Sequence, residues 1–139
     1  MSRTFDANLE VLDVDGVSIT ATGAQTAATV ESLIGDAGYV AVLQIISNTG
    51  TVDGSNYFTL GLEVSSDGTN YYAVGNTIDT WDAALATPAA QTGNFEIAFT
   101  GNQVIEAAAG LAPTHARITA TKTGTTQTAV SAGCYIAKV

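Results

Sequence analysis

Basic side chains are scarce in this sequence. Arg3, Arg117, Lys122 and Lys138 are the only four, against thirteen acidic residues, for a net charge of −9. Nothing basic stands between Arg3 and Arg117. A nucleic-acid groove needs clustered Lys and Arg to displace counterions from phosphate, so nucleic acid is excluded as a direct partner. An anionic membrane surface would repel such a chain, and no apolar run is long enough to cross a bilayer. MSRTFDANLE carries no apolar signal core, so synthesis in the cytosol without a leader is expected.

Metal-binding and nucleophilic residues are equally few. One histidine, His115, and one cysteine, Cys134, cannot supply the ligands of a zinc site. Cys134 has no partner for an internal disulfide, and in the alternating VSAGCYIAKV it reads as a small buried hydrophobe. Phosphate-binding glycine loops and G-x-S-x-G elbows do not occur. A carboxylate pair would have to be drawn from Glu63, Asp79, Asp82 and Glu96, and no positioned base, cation or aromatic cleft accompanies them. Asp13 and Asp15 stand in D-x-D spacing with Asp6 and Glu10 close by, which suits calcium. An EF-hand would need Glu at the twelfth position, where Ala24 stands. An irregular β-loop calcium site and a solvated turn remain the two readings there. No enzyme activity and no cofactor are expected.

What the chain does contain is a foldable core and many small residues. Its 139 residues are one domain's worth, 46% of them hydrophobic and only 12% charged. Ala, Thr and Gly are the commonest residues. Such side chains lose little entropy when another protein covers them. Scarce Lys and Glu also mark protein–protein contact surfaces.

Period-two alternation runs through most of the chain and predicts strands near 8–14, 17–22, 39–47, 57–65, 70–75, 94–99, 103–107, 115–122 and 129–138. Asp15-Gly16 is expected to turn the first pair, residues 48–54 to link the third and fourth, and Gly124-Thr125-Thr126 to turn the last. LEVSSDGTNYYAVG, residues 62–75, reads as a hairpin with Asp67-Gly68 at its tip, one of Tyr71 and Tyr72 facing the core and the other the surface. Its aromatics beside an acidic tip also suit a sugar-binding loop. The whole pattern predicts an all-β, jelly-roll-like antiparallel β-sandwich in residues 8–139, preceded by an N-terminal arm, 1–7.

Two stretches lack strand rhythm. Residues 76–93 carry Trp81, the only tryptophan, which reads either as an interface anchor or as a lid folded on the sandwich. Residues 107–113 end at Pro113, just before a strand, where proline costs no ladder hydrogen bond.

With the strands in order, the chain resembles the jelly-roll capsid cement (decoration) proteins of short-tailed double-stranded DNA phages, the family typified by a Bordetella podovirus. The likeness rests on the acidic opening NLEVLDVDGVSITATGAQ, the central YVAVLQIISNTG and YFTLGLEVSSDGTNYYAVG, the segment GNQVIEAAAGLAPTHARITATKTGTT, and the closing AVSAGCYIAKV. Where that family tends to place an aromatic after the arginine, Ile118 follows Arg117 here and keeps an inward apolar position. The resemblance implies a non-enzymatic structural virion protein, made in the host cytoplasm and seated on the outer surface of an expanded capsid. Its partners would be the phage major capsid protein and a second copy in a homodimer. Phe5 of the arm and Trp81, Asp82 and Leu85 of the 76–93 loop are the candidate interface residues. The alternative is a carbohydrate-binding β-sandwich of a head fibre or adhesin; a tail-tube or head–tail connector subunit is a third reading.

Overall fold

A computed structural model describes residues 9–30, 33, 38–73, 92–102 and 110–138. Its strands are β1 (Glu10–Ile19), β2 (Gly23–Ala24), β3 (Ala28–Thr29), β4 (Gly38–Gly50), β5 (Tyr57–Ser65), β6 (Tyr72–Ala73), β7 (Gly93–Thr100), β8 (His115–Thr123) and β9 (Gln127–Lys138). The first sheet has the order β1-β9-β4-β7. The second has the order β2-β8-β5-β6, with β3 also paired to β8. Every pairing is antiparallel. Taking β2 and β3 as one interrupted strand, the described strands change sheet at every step except the β5–β6 hairpin. That alternation is a jelly roll, as the strand pattern led one to expect.

The sheets differ in how their strands are buried. In β5 the inward row Phe58, Leu60, Leu62 and Val64 is buried and the alternate residues are partly exposed, except the terminal Ser65, which is buried. In β4, Ala41, Leu43 and Ile45 face the shared core, while Val40 and Val42 on the opposite face join Tyr135, Ala137 and Val14 in a second apolar cluster. The apolar run YVAVL, residues 39–43, is buried at every position, as a strand covered on both faces requires, whereas Ile46 further along is exposed. Phe58, Leu43, Leu60, Ile118 and Ile136 fill the main core, and Tyr39 stacks on Phe99 with centroids 5.7 Å apart.

The first expected hairpin does not form. β1 runs continuously from Glu10 to Ile19 along β9, and Asp15-Gly16 lies within it. Leu12 stands opposite Cys134 and Val17 opposite Ala132, so β1 advances five positions while β9 advances two. The three surplus residues form a large bulge. It is pressed onto the outer side of β9: a Cβ added at Gly133 would lie 2.7 Å from the Asp13 carbonyl oxygen and 2.8 Å from Val14 Cα. Gly16, at φ 104°, supplies the left-handed turn of that bulge. An Asp-Gly pair signals φ > 0, and a bulge uses that conformation as readily as a hairpin does.

The last expected turn also has a different role. β8 and β9 lie in different sheets, so 124–126 crosses the sandwich instead of closing a hairpin. It meets another crossing, 51–56: Thr51 N–H donates to the Thr126 carbonyl at 3.0 Å, and Asn56 Oδ1 accepts from the N–H groups of Thr125 and Thr126. Gly124, at φ 76°, lies against Asn56 with no room for a Cβ. The predicted strand at 103–107 and the arm 1–7 lie outside the described residues.

Candidate functional site

The outward face of the second sheet is a surface built from described strand residues. Residues directly opposite in an antiparallel pair share a face. The register therefore aligns Tyr57 with Thr123, Thr59 with Thr121, Gly61 with Thr119, and Glu63 with Arg117. On the far side of β8, Ala24 stands opposite Thr119 and Thr29 opposite His115. The middle of this face carries hydroxyl groups, methyl groups and a glycine, with no long side chain. Alternation in FTLGLEV and ARITATKT puts it there: Phe58, Leu60, Ile118 and Ala120 turn to the core, and Thr59, Gly61, Thr119 and Thr121 are left outside.

At one end the face is polar and fixed. Arg117 Nε donates to Glu63 Oε1 at 2.7 Å, and the guanidinium lies 3.8 Å from the centre of the Tyr71 ring. The two charged side chains are 27% and 21% exposed, so water still screens the pair and its contribution to stability is about 1 kcal/mol or less. Its effect on the surface is larger than its energy. The face's one guanidinium is tied down, and one side of Tyr71 is already occupied.

The adjoining β5–β6 turn is held from within. Asp67 Oδ1 accepts from the N–H groups of Thr69 and Asn70 and from Ser65 Oγ, and Oδ2 accepts from Asn70 Nδ2. These bonds, led by the Asn70 and Thr69 amides, hold the Asp67 carboxyl far below the usual carboxylate range. Buried Ser65 Oγ accepts in turn from the Asp67 and Gly68 amides. Gly68, at φ 78°, sits under the His115 ring. Residues 62–73 thus form the expected hairpin, but neither tyrosine enters the core. Tyr72 shares a face with Val64, yet β6 is the last of the sheet's described strands and Tyr72 is 41% exposed. Tyr71 lies partly exposed against Arg117.

The other candidates from sequence fall as follows. Phe5, Trp81, Asp82 and Leu85 lie outside the described residues. Asp13 Oδ1 accepts the Asp15 amide at 2.9 Å, and Glu10 Oε2 accepts the Val14 amide at 3.1 Å, so both carboxylates hold the β1 bulge. Cys134 points into the core, and burial pushes its thiol well above the ordinary range. His115 stands at the same end of the outward row of β8 as Arg117, with Thr114 Oγ1 2.9 Å from its Nδ1. Sequence reasoning missed the Glu63–Arg117–Tyr71 group. Opposite charges at outward positions of two alternating strands were the available signal, but pairing them needs the β5–β8 register across 54 residues.

No protein-family model matches the chain, and no curated protein matches it. Among solved structures it is similar to the crystal structure of infectious bursal disease virus VP2 subviral particle, with a TM-score of 0.47 and 18% identity. The alignment covers 93% of this chain and 28% of that one. Likeness at that level carries no functional conclusion.

Proposed function

We propose that the chain is a structural virion protein of the capsid cement class, without enzyme activity. It binds the outer surface of an expanded phage shell and clamps contacts between major capsid proteins. The observation that supports this reading is the outward face of the second sheet. Its centre is Thr and Gly on a rigid two-strand frame, so covering it immobilises almost no side-chain freedom. Its one arginine is already paired with Glu63 and need not be stripped of an uncompensated charge on docking. A clamp of this kind should bury more than about 1,000 Å² per contact. Many symmetry-related copies then act together. The excess of acidic residues suits an exterior position, away from packaged nucleic acid.

The sugar-binding reading is weaker on the same face. Carbohydrate sites present open aromatic platforms, whereas Arg117 covers one side of Tyr71. Co-sedimentation with expanded and unexpanded phage capsids stripped of this protein, from the same source, tests the proposal. Saturable pelleting with expanded shells alone is expected; absence of pelleting with either form would remove the cement role. Quenching of tyrosine and tryptophan fluorescence by glycans would then favour the adhesin alternative.

A further inference from the structure

We propose that Asp15, in the bulge of β1, is a site of spontaneous covalent modification, isomerising to isoaspartate through a succinimide formed with the Gly16 nitrogen. The chain holds three Asp-Gly pairs, at Asp15-Gly16, Asp53-Gly54 and Asp67-Gly68. Glycine has no Cβ to hinder the approach of its nitrogen to the preceding carboxyl, so by local sequence all of them are reactive. The fold separates them.

Asp67 and Asp53 are held away from reaction. The Asp67 carboxylate accepts from Thr69, Asn70 and Ser65, and the Gly68 amide, which would have to attack, donates to Ser65 Oγ at 2.9 Å. Asp53 Oδ1 accepts the Ser55 amide at 2.8 Å and Asn56 Nδ2 at 2.9 Å. These bonds keep both carboxyls ionised by holding them below the usual carboxylate range, and an ionised carboxyl has no hydroxyl to lose. Asp15 differs. Its amide is bound to Asp13 Oδ1, but among the described residues its exposed carboxyl has no hydrogen-bond partner.

The product also fits at the bulge. Isoaspartate adds one methylene to the main chain, and the β1–β9 register passes from Leu12–Cys134 to Val17–Ala132 with no pair at residues 13–16. A segment already bulged can lengthen without shifting either flanking pair. In the chemical step the Gly16 nitrogen bonds to Cγ of protonated Asp15, and the hydroxyl leaves with the nitrogen's proton as water. A second water opens the ring. Its addition at Cγ restores Asp15; addition at the main-chain carbonyl carbon leaves the chain running through the side chain. The reaction needs water alone and no capsid partner.

Wild-type protein kept folded at neutral pH and physiological temperature for several weeks, then digested with chymotrypsin, tests this by electron-transfer mass spectrometry, which distinguishes isoaspartate from aspartate. Isoaspartate should accumulate at position 15 several-fold faster than at 53 or 67, whereas the same sites should react at similar rates in urea. No isoaspartate at 15, or an equal or faster rate at 53 or 67 in the folded protein, would overturn the proposal. So would the same difference persisting in urea, which would place its origin in local sequence. Ser65→Ala frees the Gly68 amide and should raise the rate at 67 with that at 15 unchanged. A folded Ser65→Ala protein with no rise at 67 would overturn the protection by hydrogen bonding on which the choice of Asp15 rests.

Discussion

The two sheets share one core but treat their outer faces differently. In the first sheet the outward residues Val40, Val42, Tyr135 and Ala137 are buried in a second cluster, and the β1 bulge lies over Gly133. In the second sheet the outward residues are Thr, Gly and a half-exposed ion pair. The first sheet's central strands are framework on both sides. The second keeps a flat face available, and a face that folding does not need is where a binding role can be placed.

A charge on each outer face separates the two most strongly. Val42→Asp, at a site 1% exposed, should cost about 3–5 kcal/mol by leaving an uncompensated buried charge. Thr119→Lys should stay within about 1 kcal/mol of wild type. Urea midpoints measure both, and similar losses would erase the distinction. Two glycines sharpen it. Gly133→Ala should cost about 1–3 kcal/mol, because the new Cβ meets the backbone of Asp13 and Val14. Gly61→Ala should gain about 0.5–1 kcal/mol, since its nearest neighbour would be Thr119 Oγ1 at 3.4 Å and strand glycine carries an entropic cost. A gain at both sites, or a loss at both, would contradict the account.

Smaller effects belong to the second sheet's polar end. Glu63→Gln should cost about 1 kcal/mol or less at neutral pH, with the loss reduced by added salt. Asp67 sets a pH signature. Its folded-state pKa is depressed, so its stabilisation is full above the unfolded carboxylate value of about 3.9 and is lost as pH falls through the folded value. Melting curves of wild type and Asp67→Ala should therefore differ at pH 7 and converge progressively below about pH 4. A difference that stays constant with pH would mean that Asp67 acts through packing alone.

How much of this was legible depended on whether the signal was local. The alternation of β5 and β8 identified their inward rows, whereas β4 was legible as a strand but not as one whose Val40 and Val42 are buried on its outer face. Asp67-Gly68 signalled a real hairpin, whereas Asp15-Gly16 carried the same local signal and became a bulge. Only the competition of β9 for all of β1 decides between them, and that competition is tertiary. Gly124-Thr125-Thr126 misled for the same reason, since a short turn does not say whether its strands share a sheet. Tyr72 went astray because alternation predicts a side but not distance from the core's margin. The Arg117–Glu63 pair needed a register that composition cannot supply, and Phe5, Trp81, Asp82 and Leu85 lie beyond the described residues.

The most direct test of the central claim is shell binding by Thr119→Lys, compared with wild type in the same co-sedimentation assay with expanded capsids. The account predicts a variant that melts close to wild type but binds at least about tenfold more weakly, a change of about 1.4 kcal/mol. Undiminished binding by a folded Thr119→Lys protein would contradict it and move the contact off the second sheet.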